Sequence, residues 1–147
     1  MKLTTKGRYA VRLLMELAMR PGPEPMPLKE AAQRQDISEK YLWQVAAALK
    51  KAHLLTATPG PRGGYALARP AERITLLDIL SAVETTDALT ECLAEPGLCT
   101  RSPACAARLV WQDVARKING ITGSITLLDM ANQARAGRGS DGYDYAI

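Results

Sequence analysis

The chain has 147 residues, 47% of them hydrophobic, with a net charge of +4. That length is within the usual size of one domain, and the apolar share can fill a core. No run of about 18 apolar residues occurs, so no membrane span is expected, and three cysteines are too few, and odd in number, for a disulfide-stapled scaffold. The charge is uneven: residues 1–84 carry 13 Lys/Arg against 8 Asp/Glu, and residues 85–147 carry 6 against 7. A basic first half points to a polyanionic partner there.

The first predicted element is a helix from about Lys6 to Arg20. Tyr9, Ala10, Leu13, Leu14, Leu17 and Ala18 recur at helical spacing on one face. Thr4 or Thr5 can cap its start, and Pro21 in the loop "PGPEPMP" ends it. The stretch is basic and apolar like a leader. Arg12 and Glu16 interrupt it, however, and no small-residue cleavage site follows, so it reads as a mature helix of a cytoplasmic protein. A short helix follows over about Leu28 to Gln35, then the tight connection "DI". Ser38 caps a third helix with Glu39 in its first turn and Lys50 and Lys51 in its last, the order the helix dipole favours. Leu42, Val45, Ala46 and Leu49 share the inward face, whereas Lys40, Trp43, Gln44 and Ala47 lie away from it.

Two strand-like runs, Leu54–Thr58 and Tyr65–Ala68, flank "PGPRGG". They predict a hairpin whose positive φ angles fall on Gly63 and Gly64 and whose tip carries Arg62. The pentapeptide ITLLD occurs twice, at 74–78 and 125–129. In each copy a Thr (Thr75, Thr126) can cap a helix and an Asp (Asp78, Asp129) can complete a capping box. It reads as a recurrent helix start. Between the copies, Ser102 is expected to cap a long helix with Pro103 at its first position. Ala107, Val110, Val114, Ile118 and Ile121 form a narrow stripe on that helix, suited to a helix–helix seam. The Gly-rich end, 136–147, reads as a flexible tail.

Two short helices, a tight turn and a hairpin follow the order of a winged helix–turn–helix. The fold class expected is therefore mainly α with a small β-hairpin. Residues 1–84 would form the DNA-binding domain, and residues 85–135 a cysteine loop and dimerisation helix. A capped helix projects its N-terminal side chains into the major groove, where base edges display a distinct donor and acceptor pattern. Gln44 suits adenine, and Lys40 and Tyr41 suit phosphates; Ser38 and Trp43 lie beside them. Arg62 at the wing tip, flanked by Pro61 and Gly63, suits the minor groove, and Lys2 completes the DNA-binding candidates.

All three cysteines lie within "ECLAEPGLCTRSPACAAR": Cys92, Cys99 and Cys105, spaced C-x6-C-x5-C. This is not the C-x2-C of a thioredoxin-like redox motif. Thiolates suit an iron–sulfur cluster or zinc. Cys105 is expected in the first turn of the long helix, where the dipole favours the thiolate. The alternative is three reduced structural or sensor thiols with no cofactor.

"MKLTTKGRYAVRLLMELA", "YLWQ" and "PGPRGGYALA", with the cysteine window and long helix after them, resemble the IscR/NsrR/CymR-type (Rrf-two) family of bacterial winged-helix transcriptional regulators. The resemblance spans about residues 1–135. It implies a homodimer on a palindromic double-stranded operator, with the stripe from Ala107 to Ile121 as the seam. It also implies an iron–sulfur cluster (2Fe-2S or 4Fe-4S) on Cys92, Cys99 and Cys105 plus one further ligand. In similar members that ligand is a His just after the third cysteine or an acidic residue on the partner's first helix. Here those positions are Arg108 and Arg8, neither a ligand, so the fourth ligand stays open, with Glu91 and Glu95 among the candidates. The position of Trp43 is often Glu in similar members, so the operator should differ. The function expected is a redox-, iron- or nitric-oxide-responsive regulator, not an enzyme. No nucleophile–base pair, phosphate loop or HExxH occurs. The alternatives are a cofactor-free winged-helix regulator responding through thiols or a metabolite, and a small iron–sulfur redox carrier.

Overall fold

The structure, a computed structural model, describes residues 3–84 and 88–139. Helix α1 (Thr5–Met19) begins where the Thr4 side chain accepts a hydrogen bond from the Gly7 amide. It sends Ala10, Leu13 and Leu14 into the core. Helix α2 (Leu28–Gln35) ends at Asp36, whose left-handed φ of 51° lets its amide reach the Ala32 and Gln33 carbonyls. Asp tolerates that conformation better than most residues. Ser38 then caps α3 (Glu39–Lys51), and Leu42, Val45, Ala46 and Leu49 are all fully buried, as their spacing predicts. The far end of α3 closes in a Schellman arrangement: His53, at φ 59°, bonds back to Lys50 and Leu54 to Leu49. The chain's one histidine is thus an exposed turn residue.

Strands β1 (Leu55–Thr58) and β2 (Gly64–Leu67) pair antiparallel, Leu55 opposite Leu67 and Thr58 opposite Gly64. The turn between them corrects the sequence expectation. The Gly63 amide bonds to the Gly60 carbonyl at 2.9 Å, which places Pro61 second in a four-residue turn, where its fixed φ fits. Positive φ angles then fall on Gly60 (101°) and Gly64 (154°), not on Gly63. Gly63 is required for a different reason, because a Cβ there would run into the Thr58 carbonyl. At Gly64 a Cβ would run into the backbone of Met26 and Pro27. This close approach lets Met26 and Tyr65 exchange backbone hydrogen bonds of 2.9 and 2.8 Å, stitching the hairpin to the residues before α2.

The two ITLLD copies start α4 (Leu76–Val83) and α7 (Leu127–Gly139). Both form the expected reciprocal caps between Thr and Asp. The copies also pair with each other. Thr75 faces Thr126, the Leu76 amide bonds to the Ile125 carbonyl (2.9 Å), and the Leu127 amide bonds to the Ile74 carbonyl (2.7 Å). This back-to-back joint returns the chain to α1, where Leu127 and Ala131 complete the core and Arg135 reaches the Ala18 carbonyl. The core therefore spans the division at residue 84 read from the sequence. Helix α7 also runs four residues into the stretch expected to be a flexible tail, so 136–139 are helical, and 140–147 lie outside the described residues. The short helix α5 (Glu91–Ala94) and the long α6 (Ala106–Ser124) lie between the ITLLD copies. Among the described residues no helix is long and apolar enough to cross a membrane.

Candidate nucleic-acid interface and cysteine segment

Ser38, Lys40, Trp43 and Gln44 are exposed on one end and face of α3, opposite its buried stripe. The Ser38 hydroxyl oxygen accepts from the Tyr41 amide at 3.5 Å, which leaves its O–H to donate outward. Tyr41 is half-buried, edge-on to Tyr9 with ring centres 5.5 Å apart, and the Arg12 guanidinium lies over Tyr9. Tyr41 therefore anchors α3 to α1, with part of its surface left exposed. Trp43 is 55% exposed, with its ring edge-to-face against Tyr65 of β2 at 6.4 Å. That contact joins α3 to the hairpin. Tyr65 carried no sequence signal, because only the hairpin register and the Met26 bridge bring it beside α3. At the wing tip Pro61 and Arg62 are exposed and Gly63 is half-buried. Lys2 lies outside the described residues.

Behind this surface, a polar network fixes α2 against α1. Arg12 donates to the Gln35 side chain at 2.7 Å and also to its carbonyl, and Gln35 donates to Glu16. Arg34 lies 3.7 Å from Glu16 and 2.9 Å from Glu30, which pairs with Arg20 at 3.2 Å. Glu16 is only 6% exposed, and a carboxylate buried to that degree needs such partners. The network ends at Gln35, next to the Asp36 turn that aims α3.

Helix α6 buries none of its residues. Ala107, Val110 and Ile121 of the predicted stripe are exposed, and Val114 and Ile118 half-buried. Trp111 shares that face, four residues after Ala107 and three before Val114, and was legible from the same spacing. The opposite flank of α6 meets α4, with Gly123 lying close to Leu77. Asp113 pairs with Lys117 at 2.8 Å and Arg116 at 3.1 Å. The hydrogen bond and charge of Lys117, then the charge of Arg116, hold its carboxyl below the usual carboxylate value.

The cysteine segment leaves the helical body at Glu84, whose carboxylate accepts from the Thr4 amide (3.2 Å) and hydroxyl (2.9 Å) at the start of α1. Cys92 and Cys105 are half-buried and Cys99 is exposed; all three are free thiols. The Cys92 sulfur lies 3.2 Å from the Thr90 hydroxyl, and Arg108 donates to the Cys92 carbonyl. Cys105 is not in the first helical turn. Residues 102–104 wind into a 3₁₀ turn, Cys105 is extended (φ −85°, ψ 110°), and α6 starts at Ala106. For the same reason Ser102 does not cap α6. Its amide bonds to the Cys99 carbonyl at 3.1 Å, and its hydroxyl is buried with no hydrogen-bond partner among the described residues. Cysteine sulfurs suit an iron–sulfur cluster in chemistry, and three of them lie in this segment. Among the described residues, however, no three His, Cys, Asp or Glu side chains stand close enough together to hold a metal.

A three-helix body with an exposed, capped third helix and a hairpin stitched beside it defines a winged-helix protein. The chain belongs to the Rrf2 family: the family described as Rrf2, iron-dependent transcriptional regulator, matches residues 3–133. It is 40% identical over 134 residues to protein rrf2 of Nitratidesulfovibrio vulgaris, covering 91% of this chain and 89% of that one. Its fold matches T. potens IscR with a TM-score of 0.77 and 34% identity, covering 99% and 96% of the two chains. It matches CymR, the global cysteine regulator of B. subtilis, with a TM-score of 0.75 and 32% identity, covering 90% and 98%. The protein is a DNA-binding transcriptional regulator of this family and not an enzyme.

Proposed function

We propose that the protein acts as a cytoplasmic homodimer on a palindromic double-stranded DNA operator, and that an iron–sulfur cluster on Cys92, Cys99 and Cys105 controls that binding. The carrying observation is that three free thiols occupy the segment running directly into α6, a helix with an apolar face and no buried residue. The seam comprises Ala107, Val110, Val114, Ile118 and Ile121, joined by Trp111. In a two-fold assembly each α3 enters one major groove, and half-sites lie about 34–36 Å apart. Gln44 reads a base edge, Lys40 and Tyr41 hold phosphates with Ser38 and Lys2 as further DNA-binding candidates, and Arg62, presented by Pro61 and Gly63, enters the minor groove. Trp43 and Tyr65 together offer an apolar surface to sugar or a thymine methyl. When bound, the cluster supplies one-electron redox chemistry and reactivity toward oxidants or nitric oxide. The thiols must draw closer together than they stand here to hold it, so loading is coupled to the shape of the segment at the foot of α6.

The first test is the visible spectrum, with iron and sulfide assays, of protein purified without oxygen, combined with operator binding at several salt concentrations. Brown protein with matching iron and sulfide, and an affinity that changes when the cluster is removed, is the result expected. Colourless protein that also fails reconstitution refutes the cluster but leaves the DNA reader standing. The exposure of Cys99 favours one second reading, a cofactor-free regulator acting through thiol oxidation. It predicts colourless protein whose DNA affinity changes with oxidant and is restored by reductant.

A further inference from the structure

We infer that Tyr65 is a specificity-determining residue that acts through Trp43, holding the indole in one orientation so that it meets a single base pair; this rests on the assignment of the exposed face of α3 to DNA. The two rings differ in how firmly they are held. The Tyr65 backbone is fixed from two sides, because it stands opposite Ala57 in the hairpin and exchanges hydrogen bonds of 2.9 and 2.8 Å with Met26. Its ring is half-buried and packs against the core. Gly64 before it has no room for a side chain, so the strand is seated against the backbone of Met26 and Pro27. Trp43, by contrast, is exposed in the first half of α3, away from the buried stripe. An exposed side chain changes rotamer within picoseconds to nanoseconds unless something holds it. Trp43 is held by the Tyr65 ring, 6.4 Å away centre to centre and at 87°, the edge-to-face arrangement that aromatic pairs favour.

The consequence for reading is chemical. An indole has one donor, its N–H, and no acceptor. In the major groove it therefore suits an edge with an acceptor or the methyl of thymine, and it disfavours the amino donor of cytosine. An indole fixed in one orientation applies that preference to one base pair. An indole free to swing spreads it over neighbouring pairs. It also loses rotamer freedom when DNA binds, which a pre-oriented ring has already given up. An aromatic pair shifts an equilibrium by about two- to tenfold, and that is the scale of the discrimination Tyr65 supplies.

The experiment uses the full chain, purified without oxygen, and a duplex that the wild type selects from a random-sequence double-stranded pool. Affinity is measured for that duplex and for every single base-pair replacement in it. The proteins compared are wild type, Trp43→Leu, Tyr65→Phe, Tyr65→Leu, Tyr65→Met and the double variant of Trp43→Leu with Tyr65→Leu. Trp43→Leu should flatten the preference at one position of the half-site. Tyr65→Leu and Tyr65→Met should lower discrimination at that same position by about two- to tenfold and leave the other positions unchanged. Tyr65→Phe, which keeps the ring and loses only the hydroxyl, should retain the wild-type profile. In the double variant the Tyr65 change should add nothing at that position to the effect of Trp43→Leu, as expected of two residues acting as one unit. A profile unchanged in both Tyr65→Leu and Tyr65→Met would overturn the inference and leave the assignment of α3 to DNA standing. So would a loss shared equally by all positions in both, since Tyr65 would then only hold up the hairpin. A Trp43→Leu profile identical to wild type would overturn the assignment of Trp43 to a base pair, and the inference with it.

Discussion

With α6 as the proposed seam, replacing Val110 with Glu should separate the two copies of the protein while leaving each one folded. Val110 is 56% exposed on a helix that buries nothing, between Ala107 and Trp111 on the apolar stripe. Fully covering a valine gains about 1.5–3 kcal/mol, so covering the exposed half gains about 1 kcal/mol. A two-fold seam presents the residue twice, which makes about 2 kcal/mol lost on substitution. Each Glu must also shed water at the seam, at a cost of several kcal/mol per unpaired ion. The sum exceeds about 4 kcal/mol, or roughly a thousandfold in the dimer dissociation constant. Sedimentation equilibrium from nanomolar to micromolar protein reads this directly, and operator binding should weaken with it. Arg116→Glu, on the outer side of the same helix and already exposed, is the control and should leave the dimer intact. A dimer unmoved by Val110→Glu, or wild type that stays monomeric at high concentration, would refute the assignment of α6 as the seam.

Leu127→Ala should destabilise the whole chain by about 2–5 kcal/mol in urea unfolding, because Leu127 is fully buried in the core shared with α1. A single unfolding transition shifted as a unit is expected, and separate transitions for the two halves would contradict a shared core. Gly64→Ala should cost more than about 1 kcal/mol and weaken DNA binding, since the residue combines a φ of 154° with close contact to the backbone of Met26 and Pro27. Gly22→Ala is strained too, at a φ of 91°, but has open space around it, so it should cost less than Gly64→Ala and leave DNA binding unchanged. The Asp129 carboxyl is held below its usual value by hydrogen bonds from the Thr126 side chain and backbone. Its contribution to stability is therefore present above about pH 4, where the unfolded group ionises, and is lost as pH falls through the lower folded value. A carboxyl-carbon NMR titration should show that depressed midpoint, and Thr126→Ala should move it back up.

The elements legible in the sequence were those fixed by near neighbours. The buried face of α3 follows from the spacing of Leu42, Val45, Ala46 and Leu49, and both Thr–Asp caps are written within five residues. The turn at the wing was misread in detail because adjacent glycines suggest a turn centred on themselves. Pro61 instead fixes the turn one step earlier and pushes the positive φ angles out to Gly60 and Gly64. Cys105 was placed in a helix that starts one residue later, because Pro103 fits a 3₁₀ turn as readily as a first α-turn. What stayed hidden depended on contacts between distant residues. Gln35 meets Glu16 from 19 residues away and Arg12 from 23, and no local pattern says which polar side chains will share a burial site. The repeat of ITLLD was visible, but its self-pairing was not, since that depends on α6 carrying the chain back. The cysteines were visible as donors, whereas their separation in space was not.

The joint between the two ITLLD copies has a consequence for how the protein is made. Ile74 and Leu127 close the core together, and α7 packs against α1. During synthesis, α1 to α3 and the hairpin emerge first, but the body holding them cannot finish folding until α7 has left the ribosome. By then the cysteine segment and α6 have been made too, because they lie between. A shortened product ending after the wing would leave the inward face of α1 partly bare, inviting degradation before it could occupy an operator. The chain order thus ties completion of the winged-helix body to possession of the cysteine segment and α6.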